Sequence, residues 1–198
     1  MHSSPSGFLF RVYRIPYLEE DAFQWYMSFD HLGELIQRPD PTPAVDLLSK
    51  VVNHLVQDCS WSANRIHIFG FAQGGTVAAE FGIKFWKELQ GQSTSSTSLG
   101  SIVSVSGPLL SWPASKVISP TPVLLVHRPP PSEGALPKDA LVAYKRAFQP
   151  VYEERLTSKH PGMPASKEEW EPIMRFWSER LGRRKVSGVY EVMSGFAP

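Results

Sequence analysis

Ile66-His67-Ile68-Phe69-Gly70-Phe71-Ala72-Gln73-Gly74-Gly75 is the stretch that decides how this chain is read. Ile66 to Phe69 is a short apolar run, as a buried strand requires. Gly70 closes it and Gly74-Gly75 follow at once. From Thr76 to Leu89, Val77, Ala78, Phe81 and Phe85 then recur at helical spacing. Strand, tight turn and helix come in immediate succession. Gly70 and Gly74 stand two residues either side of Ala72, the spacing of a G-x-S-x-G nucleophile elbow. Such a turn strains its central residue, at a cost of about 1–3 kcal/mol, and points that side chain out of the top of the sheet. Here the side chain is a methyl group, with no lone pair to attack a carbonyl and no proton for a base to take. The run is not G-x-G-x-x-G and lacks the Walker lysine, so a nucleotide site is not indicated. Five residues alone are also compatible with a turn whose glycines serve packing only.

Outward from this turn the chain alternates strands and helices. Upstream, Thr42-Pro43 opens a helix, with Thr42 expected to cap and Pro43 to fill the first turn. Val45, Leu48, Val52 and Leu55 form its apolar stripe, widened by Leu47 and Val51. Downstream, 91–98 reads as a Ser/Thr/Gly surface loop. Ile102 to Val105 and Val123 to Val126 read as buried strands, Lys138 to Phe148 as a helix, and Val151 to Leu156 as a further strand. Ser166 with Glu169 makes a capping-box pattern before a last helix with an apolar stripe of Trp170, Ile173, Met174, Trp177 and Leu181. Pro172 interrupts that helix and Gly182 stops it. Near the N-terminus, Phe8 to Ile15 alternates loosely like a strand, and Tyr17 to Tyr26 reads as an ordered loop whose rings pack inward. The order implies a mostly parallel α/β sheet with helices on both faces. Residues 1–182 read as one domain and 183–198 as a loosely ordered basic tail.

Composition narrows the partners. The 198 residues are 42% hydrophobic and 20% charged, enough for a real core and against global disorder. With a net charge of +1 no polyanion partner is implied, and a broad nucleic-acid footprint is not expected. The single cysteine, Cys59, excludes a disulfide framework and a cysteine-based zinc site. No apolar run approaches the roughly 18 residues of a membrane span, and Phe8-Leu9-Phe10 is too short for a signal-peptide core. The expectation is a cytoplasmic protein with no transmembrane segment, no cofactor and no metal.

Gly70-Phe71-Ala72-Gln73-Gly74-Gly75 resembles the G-F-S-Q-G-G signature of the phospholipase/carboxylesterase family, which includes the acyl-protein thioesterases and has the α/β-hydrolase fold. Phe23-Gln24-Trp25-Tyr26 resembles the family's aromatic loop. Asn64-Arg65-Ile66, the strand from Ile102 with its exit at Ser106-Gly107, Gly162-Met163, and Met174-Arg175-Phe176-Trp177 resemble family features further along. The resemblance implies a Ser–Asp–His triad in that chain order. The serine position is Ala72. The aspartate would lie in His127-Arg128-Pro129-Pro130-Pro131-Ser132-Glu133, where Glu133 is the nearest carboxylate and no Asp occurs. The histidine would follow Gly162-Met163, where Ala165 stands. His160 lies on the wrong side of that motif. His67 and His127 read as structural, His54 as solvated. The family's earlier strands and His-Gly-rich oxyanion loop have no counterpart, which leaves the backbone N–H of Gln73 as one oxyanion donor.

These departures make a non-catalytic family member, a pseudoenzyme, the leading expectation. It would bind an acyl or lipid-like ligand, with Phe71, Trp25 and Ser106 as pocket residues, or a protein partner. Core packing is the simpler reading of Phe23, Trp25 and Tyr26. The alternatives are an active ester or thioester hydrolase with a rearranged site, or a truncated or engineered Ser-to-Ala form. In the rearranged site Ser106 is one candidate nucleophile; Cys59, with no base beside it in sequence, is the other. A turn-capping hydroxyl and a merely exposed thiol are their bland counterparts.

Overall fold

The computed structural model describes residues 13–14, 23–91, 97–113, 117–132, 135–157 and 162–181. A two-residue pair, β1 (Tyr13–Arg14) and β2 (Phe23–Gln24), runs antiparallel. Then come α1 (Thr42–Gln57), a single 3-10 turn, β3 (His67–Phe71), α2 (Gln73–Gln90), β4 (Ser101–Val105), β5 (Val123–His127), α3 (Ala140–Ala147), β6 (Val151–Arg155) and α4 (Lys167–Ser178). Strands β3 to β6 form one parallel sheet in sequence order. The expected basic tail, residues 92–96 of the 91–98 loop, most of Phe8 to Ile15, and residues 17–22 of the Tyr17–Tyr26 loop lie outside the described residues.

The strand sequences explain the layering. Side chains alternate between faces with a period of two. In β4 and β5, Ile102, Val123 and Leu125 pack with α1, α2 and α3 through Val52, Phe81 and Tyr144. Val103, Val105, Leu124 and Val126 face the other way, onto Ile173 and Phe176 of α4. Both faces of the two central strands are covered, so their near-continuous apolar runs are what a parallel sheet demands. Each fully buried Val, Leu or Ile contributes about 1.5–3 kcal/mol of transfer energy. Strand β3 pairs only with β4 and is an edge among the described residues.

Several local expectations shift. Thr42 is not the cap: α1 starts at Thr42, with Pro41 before it, and Asp40 Oδ1 accepts from the Thr42 N–H at 2.9 Å. Those bonds to Thr42, side chain first, hold the Asp40 carboxyl below the usual range. Helix α2 begins directly after Ala72, three residues earlier than its periodicity showed. Met174 on α4 and Leu181 beyond its end are exposed, and Phe176 of α4 is buried instead. Ser166 does cap, accepting from the Glu169 N–H, while the Glu169 carboxylate reaches one residue further back, to the Ala165 N–H at 2.8 Å.

Candidate functional site

Ala72 has φ 49° and ψ −118°, a conformation that L-residues rarely adopt. Two backbone bonds hold it there. Its N–H donates to the Val105 carbonyl at 2.8 Å, and its own carbonyl accepts from the Thr76 N–H at 3.1 Å. The turn is so tight that a β-carbon on Gly70 would lie 2.2 Å from the Gly74 carbonyl carbon. A β-carbon on Gly75 would lie 2.6 Å from Ser104 Oγ. The next strand exit needs the same room: a β-carbon on Gly107 would sit 2.8 Å from the Ala72 oxygen. This glycine set lets a strand, a helix start and the β4 exit meet at one point, with the Ala72 methyl at the apex.

Gln73 then ties the aromatic loop to the elbow. Its Oε1 accepts from the Trp25 N–H at 2.8 Å. Its Nε2 donates to Ser28 Oγ at 2.7 Å and to the Tyr26 carbonyl at 3.2 Å. The loop aromatics split. Tyr26 is buried, and burial pushes its phenol up, whereas Trp25 is 46% exposed. Core packing therefore explains Tyr26 but not Trp25, whose indole lies over Gly74. Phe71 and Ser106 are both half-buried. Ser106 also has a positive φ, 54°, and donates its N–H to the Val126 carbonyl at 2.8 Å.

The loops where the resemblance sought an acid and a base are joined by an ion pair. Arg128 follows β5 and is fully buried. Its guanidinium donates to Glu169 Oε1 at 2.7 Å and to the Gly162 carbonyl at 2.8 Å. Thus the β5 exit and the segment before α4 are stapled by a cation. Ala165 is exposed there, with only its backbone N–H engaged by Glu169. Glu133 and His160 lie outside the described residues.

The remaining histidines are placed as follows. His67 sits against Ser101 Oγ at 2.8 Å, and burial pulls its imidazole below the ordinary value. His127 Nε2 meets Glu153 Oε1 at 3.0 Å, and its Nδ1 lies 3.4 Å from the Arg128 carbonyl. Glu153 also accepts from Arg155 Nε at 2.8 Å; that bond first, and His127 second, keep its carboxyl below the usual range. His127 is an imidazole backed by an acid, but its second nitrogen faces a carbonyl, not a hydroxyl. His54 is exposed, as a solvated residue should be, and Cys59 has no base next to it in sequence, yet the fold brings the two together. His54 Nδ1 lies 2.5 Å from Asp58 Oδ2, and its Nε2 lies 3.8 Å from Cys59 Sγ. Sequence reasoning missed this because the pair is five residues apart and meets only where the helix ends.

A parallel sheet with helices on both faces and an elbow between its edge strand and α2 defines the α/β-hydrolase fold. Solved structures agree. The chain superposes on Arabidopsis thaliana SOBER1 with a TM-score of 0.55, at 16% identity, over 82% of this chain and 76% of that one. It superposes on a carboxylesterase from Mesorhizobium loti with a TM-score of 0.57, at 11% identity, over 83% and 73%. In sequence it is similar to the protein named "Uncharacterized hydrolase UM10204" of Mycosarcoma maydis, 37% identical over 174 residues. That match takes in 86% of this chain and 63% of the relative, so the chain spans less than two thirds of that protein's length. No family model matches the chain. No described helix is long and apolar enough to cross a membrane.

Proposed function

We propose that this chain is a non-catalytic relative of the phospholipase/carboxylesterase group of α/β-hydrolases, working by binding rather than by hydrolysis. The observation that carries this reading is the methyl group of Ala72 at the strained apex of the elbow. Acyl transfer starts with a nucleophile there, and a methyl group cannot serve. Support comes from the loops that would supply acid and base. Buried Arg128 crosses between them, and Ala165 offers no imidazole. The oxyanion-type donor at the start of α2, the Gln73 N–H, is retained. With the exposed indole of Trp25 near Gly74, and with Phe71 preceding the elbow in β3, it suits an acyl or lipid-like ligand whose carbonyl sits over Ala72. A polar carbonyl on a helix N-terminus and an apolar tail on aromatic rings is a chemically consistent pairing.

The test has two arms. Purified chain is treated with a fluorophosphonate probe and a short-chain p-nitrophenyl ester, and the Ala72→Ser variant is treated likewise. The expectation is no labelling and no turnover above a heat-killed control in either, because restoring one triad member restores neither base nor its orienter. Labelling of the native chain would overturn the reading in favour of a rearranged site, and its loss in Ser106→Ala would identify the nucleophile. In the second arm a medium-chain fatty acyl amide is titrated while tryptophan emission is followed. Saturable quenching that is lost in Trp25→Ala is the expected result.

A further inference from the structure

The end of α1 carries a three-residue constellation that precedes the elbow in sequence. Helix α1 leads toward the N-terminal end of β3, whereas Ala72 follows its C-terminal end. At the last turn, the Asp58 and Cys59 N–H groups both bond to the His54 carbonyl, at 2.9 and 3.2 Å. Ser60 then takes φ 57°, which turns the chain back. The two bonds to the His54 carbonyl hold residues 58 and 59 beside His54. The carboxylate of Asp58 meets Nδ1 at 2.5 Å and the thiol of Cys59 meets Nε2 at 3.8 Å. One ring nitrogen faces an acid and the other a nucleophile, which is the order a general-base relay needs. The carboxylate fixes the proton on Nδ1 and leaves the Nε2 lone pair toward the thiol. All three groups are exposed, so a soluble reagent can reach the sulfur.

We propose that Cys59 is a primed thiol that takes up a low-molecular-weight disulfide as a mixed disulfide. The proton of the Cys59 thiol passes to His54 Nε2. The thiolate attacks one sulfur of the disulfide, the new S–S bond forms as the old one breaks, and the departing thiolate takes the proton from His54. The disulfide is the oxidant and its released half is the reduced product. Cys59 is the only cysteine of the 198 residues, so no second thiol in the chain can resolve the adduct, and the reaction stops at one mixed disulfide. This site and its chemistry are independent of whether the elbow is active.

The experiment uses the full reduced chain and oxidised glutathione at neutral pH, with intact-mass spectrometry following one glutathionyl addition. The expected rate falls about tenfold in His54→Gln and about threefold in Asp58→Asn. These factors sit below the roughly 10²–10⁴ of enclosed catalytic bases because this relay is open to water. Both positions are on the surface, and unchanged thermal melts confirm that the variants fold. The native chain should also react several-fold faster than the same chain unfolded in urea. Equal rates for native and His54→Gln, or for folded and unfolded chain, overturn the proposal.

Discussion

Replacing Ala72 with glycine should stabilise this protein, although glycine ordinarily costs stability. At φ 49° and ψ −118° the alanine β-carbon crowds its own backbone, a strain of about 1–3 kcal/mol that glycine relieves. Against this stands the greater freedom of glycine in the unfolded chain, about 0.4–1 kcal/mol. Ala72 is also the residue that starts α2 with no side-chain cap, and glycine is preferred to alanine at that position. The methyl is only half-buried, so its loss leaves no enclosed cavity. The net expectation is a gain of about 1 kcal/mol, which for a chain of this size raises the melting temperature by about 2–4 °C. Urea melts and calorimetry of the two proteins measure it, with the denaturant slope unchanged. A loss of stability would refute the reasoning: it would mean that the elbow is relaxed at Ala72, and that the conformation does not require glycine-like freedom there.

Removing the carboxylate of Glu169 by substitution to Ala should cost about 3–5 kcal/mol in urea unfolding, because the buried Arg128 charge loses its direct partner. The double replacement Arg128→Met with Glu169→Leu should recover most of that loss, and a double variant no more stable than the single one would argue against an electrostatic origin. Gln73→Ala removes three bonds to the loop and should speed amide exchange at Trp25 by about tenfold, read by hydrogen exchange and mass spectrometry. The pH dependence follows from His67, whose imidazole is pulled down by burial. Its folded state binds the proton less readily than the unfolded chain, so its contribution is complete above the unfolded value of about 6.5 and falls away as the pH drops below it. The melting temperature should decline between about pH 7 and pH 5, and His67→Gln should flatten that decline. The depressed carboxyls of Asp40 and Glu153 act in a lower window.

The fold was legible because its signals are local and periodic. The runs at Ile102–Val105 and Val123–Val126 are apolar on both sheet faces, and only a covered parallel strand uses such a run. The elbow was legible from three glycines at fixed offsets. What stayed hidden depends on groups that meet from distant parts of the chain. Arg128 reads as one more charge in a proline-rich loop, and nothing in its neighbours announces a partner at position 169. The split between Trp25 and Tyr26 is also unreadable: both are aromatic and adjacent, and the backbone of each is held by Gln73, 48 and 47 residues further along the chain. The contact between His54 and Cys59 stayed hidden for a geometric reason. A helix puts residues three or four apart on one face, and the fifth joins them here where the helix ends, with the Cys59 N–H on the His54 carbonyl.

The elbow itself separates two kinds of information that its sequence pattern merges. Gly70 is excluded from substitution by the Gly74 carbonyl, Gly75 by Ser104, and Gly107 by the Ala72 oxygen and the Thr76 N–H. None of those contacts involves the side chain at position 72. The glycine spacing is therefore enforced by packing between β3, α2 and the exit of β4, and it would be enforced equally with a serine, an alanine or a glycine at the apex. Fold stability holds the glycines in place, while only chemistry can hold a hydroxyl there. A G-x-x-x-G-G run at a strand–helix junction thus identifies the architecture, and the one residue it encloses must be read on its own to infer activity.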